Sequence, residues 1–183
     1  MQIIHIKKIT TPLGNMTAGV SASGVHLHEF LNPDRVDLQK QKLLKTSRVV
    51  FSDDPHRIHD QLQAELDEYF AGKRKEFSVN IVPSGTEFQM KVWSKLQEIP
   101  CGRTVSYQEL TDSIGDPNAI RAVAKANGDN PVAILIPCHR VIGKDGNLTG
   151  YAGGLDRKRK LLTLERQSAG SSVYQQGDQL NLF

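Results

Sequence analysis

The spacing of apolar residues changes several times along the 183-residue chain, and each change marks a predicted element. Residues 2–10 and 15–21 have strand-like composition, with Gly14-Asn15 and Ser23-Gly24 as turns. Residues 25–31 alternate Val25/Leu27/Glu29 with His26/His28/Phe30, which predicts a third strand, and residues 48–51 predict a fourth. Between residues 55 and 71 the period lengthens: Ile58, Leu62, Leu66 and Phe70 recur every fourth position. That is a helix, with Asp53 or Asp54 as its cap and Gly72 past its end. His26, His28, His56 and His59 read as surface or packing residues.

A connector at 77–84, with Pro83 and Gly85, predicts a boundary. The expected architecture is a small α/β domain at 1–82, its sheet mainly antiparallel, followed by a mainly α domain at 83–167 and a tail at 168–183. Thr86 to Gln89 forms a capping box, opening a helix with the stripe Phe88, Val92, Leu96 and Ile99, which Pro100 stops. Ser106 to Glu109 is a second capping box, for a short helix ending at Gly115. Asp116 as cap, Pro117 at the first position and Gly128 beyond the end predict a further helix at 117–127. Two short helices joined by a tight Gly-containing turn predict a helix-turn-helix. On the second, Ile120, Val123 and Ala124 form the apolar side, and Asn118, Arg121 and Lys125 the polar side. Ala119, Ala122 and Ala126 make a narrow strip of small residues, which would let the helix axis approach a surface closely.

The stretch with the most chemistry is 130–143. Val132 to Ile136 is an apolar run between Pro131 and Pro137, and it predicts a buried strand. Cys138 follows, with His139 and Arg140 beside it. A free thiol has a pKa of roughly 8.5 and reacts as thiolate, so an adjacent base and fixed positive charge suit a nucleophile. A buried cysteine is also an ordinary small hydrophobe, and neighbouring side chains on a strand point to opposite faces. Cys101, in a Pro-Cys-Gly-Arg turn, reads as structural. A last helix, at 156–167, places Glu165 beside Leu161, Leu162 and Leu164, where a buried carboxylate needs a partner.

Pro137-Cys138-His139-Arg140-Val141, with Asn130 upstream and Gly150-Tyr151-Ala152-Gly153-Gly154-Leu155 downstream, resembles the active-site signature of the O6-alkylguanine-DNA alkyltransferases. The resemblance covers roughly residues 84–165. It implies a single transfer of an alkyl group from the guanine oxygen of double-stranded DNA to Cys138, with no cofactor. It further implies that His139 draws the thiol proton through a water, that Glu165 orients His139, and that Asn130 pins the turn before the cysteine. Tyr107 would help turn the nucleotide outward, and Arg121 would fill the gap it leaves, with Ala122 beside it in the minor groove. Tyr151 and Gly153 would line the guanine pocket, and Arg140 would hold its loop. Ala124, where relatives often have glycine, and Ala152, where some have serine, are departures. The rivals are a lesion-binding relative without chemistry, in which the cysteine is replaced, and, more distantly, a cysteine hydrolase.

With 23% charged and 38% hydrophobic residues the chain is ordinary for a globular protein, and its net charge of +3 is modest. Residues 117–167 are more telling, with nine Lys/Arg against four Asp/Glu, which suits a polyanionic partner. Two cysteines make neither a disulfide framework nor a zinc site, and no metal is expected. The first ten residues lack a signal-peptide core, so a cytoplasmic monomer without membrane attachment is expected. Ser168 to Ser172 has linker composition, and the chain then runs to Gln179-Leu180-Asn181-Leu182-Phe183. That pentapeptide resembles the motif by which bacterial repair proteins attach to the DNA-polymerase sliding clamp. Alternatively, Leu180, Leu182 and Phe183 fold back on the protein itself.

Overall fold

The computed structural model describes residues 1–170; Gln179, Leu180, Leu182 and Phe183 lie outside them. The N-terminal sheet is built from β1 (Gln2–Ile9), β2 (Met16–Ser21), β3 (Gly24–Phe30) and β4 (Val49–Ser52), in the order β3-β2-β1-β4. The first three are antiparallel, and β4 runs parallel to β1. Helix α1 (Pro33–Thr46) supplies the crossover that a parallel partner needs. Helix α2 (Arg57–Phe70) lays Ile58, Leu62, Leu66, Tyr69 and Phe70 into the core. Its N-cap is His56, whose ring nitrogen accepts from the Ile58 amide, and neither Asp53 nor Asp54 takes that place. Asp54 is instead held by the Ser52 hydroxyl.

Every residue of β3 is buried, because its outer edge is covered by the second half of the chain. Val25 exchanges backbone hydrogen bonds with Asn80 and Val82, and His28 does so with Pro131 and Ala133. His28 adds a side-chain bond from Nδ1 to the Ala133 carbonyl at 2.8 Å. Burial lowers its pKa to about 4, so the ring is neutral and Nδ1 carries the donated proton. The main hydrophobic cluster runs without a break from Ile9 through Trp93 and Val123 to Leu164.

The second half contains α3 (Glu87–Gln97), β5 (Val105–Ser106), α4 (Tyr107–Ile114), α5 (Ile120–Gly128), a 3-10 turn (Cys138–Arg140), β6 (Val141–Ile142) and α6 (Leu155–Ser168). Both capping boxes are formed, and Gly115 ends α4 in the left-handed region at φ 87°. Helix α5 starts three residues later than the sequence suggests. The Asp116 carboxylate accepts from the Asn118 amide and closes a turn there, leaving Ala119 as an uncapped start. The faces of α5 differ too. Val123, Ala126 and Asn127 are buried, while Ile120, Arg121, Ala122, Ala124 and Lys125 face outward. The indole of Trp93 fixes this rotation by donating to the Ala126 carbonyl at 2.9 Å.

Val132 to Ile136 is buried as expected but is not a strand. Ile134 has φ 74°, a conformation a β-branched residue adopts only under strain, and the Ile136 amide bonds back to Val132 O. The run is a tight buried turn held against β3 by His28. Among the described residues no helix is long and apolar enough to cross a membrane.

Candidate active site

The turn delivers Cys138 to the end of the α5 helix. Pro137 sits at φ −83°, ψ 59°, and the Cys138 amide bonds to Ile136 O across it, an inverse γ-turn. Asn130 organises the approach with all of its polar atoms. Its Oδ1 accepts from the Val132 amide at 2.9 Å, while Nδ2 donates to Ile136 O at 2.8 Å and to Cys138 Sγ at 3.1 Å. A small pocket opens over the sulfur, walled by Glu29, Asn127, Asn130, Tyr151 and Gly153. A Cβ on Gly153 would lie 2.6 Å from the Tyr151 ring and 2.7 Å from Phe30, so only glycine fits. The buried Tyr151 hydroxyl has no partner among the described residues.

Adjacency in sequence misleads about the thiol. His139 and Arg140 both turn away from Cys138 and towards α6, where they meet Glu165. Burial pushes the Cys138 thiol up to about 11, against the opposing pull of the Asn130 donor, so it rests protonated at neutral pH. The sulfur therefore needs a base at the moment of reaction.

Glu165 is fully buried and takes five donors. Oε1 accepts from His139 Nε2 at 2.8 Å, Arg140 Nη2 at 2.9 Å and the Tyr69 hydroxyl at 2.8 Å. Oε2 accepts from Arg140 Nε at 2.9 Å and the Gly102 amide at 3.2 Å. Although burial opposes ionisation, His139 and Arg140 hold this carboxyl well below the usual range. Desolvation lowers the His139 pKa, so its ring is neutral, with Nε2–H given to Glu165. That leaves Nδ1 as a lone-pair acceptor, buried and without a partner among the described residues. Arg140 also donates to Ile99 O.

Residues 87–167 match the family model of the 6-O-methylguanine DNA methyltransferase DNA-binding domain. Over 171 residues the chain is 42% identical to a methylated-DNA–protein-cysteine methyltransferase of Mycobacterium tuberculosis, covering 93% of this chain and 98% of that protein. The chain belongs to the methylated-DNA–protein-cysteine methyltransferase family. A relative of the same name from Methanosarcina acetivorans is 57% identical over 101 residues, 55% of this chain and 65% of that protein. The crystal structure of Mycobacterium tuberculosis OGT in complex with DNA superposes with a TM-score of 0.77 at 43% identity, covering 90% of this chain and 94% of that one. An O6-methylguanine-DNA methyltransferase from Pyrococcus kodakaraensis shares the fold, with a TM-score of 0.60 at 24% identity.

In this methyltransferase the sequence-read residues fall into three groups. Cys138, Asn130, Tyr151 and Gly153 meet at the pocket, and His139, Arg140 and Glu165 form the network behind it. Tyr107 is half-buried beside them, its hydroxyl accepting from Asn127 Nδ2 at 3.4 Å. Arg121 and Ala122 lie apart, on the exposed face of α5. Three participants were not read from the sequence. Glu29 walls the pocket from β3, ion-paired to Arg35 at 2.8 Å. Tyr69 reaches Glu165 from α2. Lys158 is fully buried, and its ammonium donates to the carbonyls of Val141, Thr149 and Gly150, tying the loop before α6. Burial lowers its pKa to about 8. One signal was available for Lys158: it lies seven residues before Glu165, on the stripe with Leu161 and Leu162.

Proposed function

We propose that the protein repairs DNA by moving a methyl or larger alkyl group from the guanine oxygen of double-stranded DNA to Cys138, once per molecule. The observation that carries this is the pairing of a buried Cys138 sulfur, open to a small pocket, with a His139 whose Nδ1 is an unused acceptor and whose Nε2 is tied to Glu165. The sulfur–carbon bond forms as the carbon–oxygen bond breaks. The thiol proton passes through a water to His139 Nδ1, Glu165 steadies the imidazolium, and Asn130 Nδ2 steadies the growing charge on sulfur. Guanine leaves as a poorly stabilised anion, and the Tyr107 hydroxyl donates to it. The resulting thioether is stable, so the protein is consumed. The test is stoichiometric: with alkylguanine duplex in excess, alkyl groups lost from DNA should plateau at one per protein. Continued loss beyond that would indicate turnover and sink the reading.

A stacked guanine cannot reach a buried sulfur, so the nucleotide must leave the helix. Helices α4 and α5 act as a helix-turn-helix, with the outward face of α5 in the minor groove and Arg121 in the vacated stack. Its contacts are mostly to phosphate and groove shape, so little sequence specificity is expected. Arg121→Ala should slow repair of duplex DNA about tenfold or more, because unstacking costs a few kcal/mol, while reaction with free alkylguanine stays near wild type. Equal losses on both substrates would assign Arg121 to the pocket or the fold instead.

The protein is read as a cytoplasmic monomer that uses its last five residues to attach to the bacterial sliding clamp. Gln179, Leu180, Leu182 and Phe183 supply the motif. Deleting residues 179–183 should abolish binding to purified clamp and leave transfer unchanged. Equal binding by both forms, or by neither, would end the idea.

A further inference from the structure

Among the described residues, Tyr69 carries a hydrogen bond from the N-terminal half of the chain to the network behind the sulfur. It lies on α2, is 2% exposed, and is wedged between the rings of Phe70 and Phe77, at centroid distances of 5.3 and 5.4 Å. That packing leaves its hydroxyl a single direction, towards Glu165 Oε1 at 2.8 Å, across 96 residues of sequence. Oε1 is the same oxygen that receives His139 Nε2. We propose that Tyr69 is a positioning residue for alkyl transfer: its hydroxyl fixes the place of Glu165 and limits how strongly that carboxylate supports a proton on His139.

This inference rests on the reading of Cys138, His139 and Glu165 given above. The charged and titratable groups facing the network are Arg140 and His139 on the 3-10 turn, Cys101 after α3, Tyr69 on α2, and Lys158 and Glu165 on α6, with Lys75 further out. Burial raises the Tyr69 hydroxyl well above the ordinary tyrosine range, and the Glu165 charge raises it further, so Tyr69 acts as donor alone. A donor to a carboxylate stabilises its charged form and weakens it as a proton-accepting partner. Glu165 therefore stands between two demands. It must be negative enough to stabilise an imidazolium during the reaction, yet not so basic that His139 is already protonated at rest. Arg140, the Gly102 amide and Tyr69 together meet the second demand, and of the two side chains Tyr69 does so without adding a charge.

The signs follow. Removing the hydroxyl makes Glu165 the stronger partner, raises the His139 pKa, and moves the acid limb of the rate profile to higher pH, because transfer needs His139 neutral. It also frees Glu165 to move, which slows transfer across the profile. A stronger donor at the same place does the opposite to the limb. The experiment is single-turnover transfer from alkylguanine duplex, measured against pH for wild type, Tyr69→Phe and the protein carrying 3-fluorotyrosine at position 69. Tyr69→Phe should be roughly tenfold slower near neutral pH, the scale of one hydrogen bond to a charged group, with its acid limb about half a unit higher. The fluorinated protein should have its limb below wild type. One limb position for all three proteins, with only the denaturation midpoint changed, would show a structural role and overturn the proposal. A wild-type protein that transfers nothing would overturn the reaction itself, a result distinct from unaffected Tyr69 variants.

Discussion

Cys138→Ala should transfer no alkyl group at all, while its affinity for alkylguanine duplex stays within a few-fold of wild type. The reason is a division of labour visible in the fold. Cys138 is 5% exposed beneath the pocket, whereas Arg121, Ala122 and Lys125 lie on the outward face of α5. Affinity for DNA comes mainly from contacts to phosphate, and a buried sulfur makes none. The exchange removes one atom from a closed turn, with Asn130 keeping its bonds to Ile136 O and the Val132 amide. Duplex binding by fluorescence anisotropy, set beside transfer by loss of alkylguanine, separates the two. Residual transfer by the alanine protein would assign the nucleophile elsewhere, and joint loss of binding and transfer would show that Cys138 holds the fold.

The largest effect on stability is expected at Glu165. Glu165→Ala strips the acceptor from Tyr69, His139, Gly102 and two nitrogens of Arg140 at once. Arg140, 7% exposed, keeps only the Ile99 carbonyl among these partners. Breaking a buried pair from one side costs about 3–5 kcal/mol, a large share of the roughly 5–15 kcal/mol that holds a domain together. The pH dependence has a definite sign. Because the folded Glu165 pKa lies below the ordinary 4.5, its contribution is present in full above that value and is lost as pH falls towards the folded one. Urea denaturation should show wild type losing this increment in acid while the alanine protein changes less over the same range. A difference below about 1 kcal/mol at neutral pH would mean that the network is not what holds α6 to the 3-10 turn.

Much of this was legible beforehand, because local signals acted locally. The two capping boxes at Thr86 and Ser106 and the left-handed Gly115 appear where their residues stand. Helix α1 escaped notice because only Val36, Gln39 and Leu43 of its fourteen residues are buried, while Leu38 and Leu44 face outward and blur the stripe. Its Asn32-Pro33 start, a cap followed by proline at the first position, was the usable sign. Val132 to Ile136 was misread for a different reason. Apolar composition reports burial, not backbone path, and nothing in an isoleucine announces a positive φ. The setting of the thiol shows a third limit: residues adjacent in the chain point apart, and His139 and Arg140 both meet Glu165, 26 and 25 residues away, a partner implied by the family resemblance and not by the spacing around Cys138. Tyr69 and Glu29 belong to the site only through contacts between the two halves of the chain, which no local pattern encodes.

What decides the chemistry is which sulfur receives the alkyl group. The chain has two cysteines, and Cys101 is the control: it is partly buried, close to the Glu165 charge, pushed up to about 11 by burial and that charge, and not among the residues lining the pocket over Cys138. Peptide mass mapping after incubation with a duplex bearing one O6-methylguanine should find a single added methyl, on the peptide containing Cys138, and an unmodified Cys101. A methyl on Cys101, or an unchanged protein mass beside repaired DNA, would contradict transfer to Cys138.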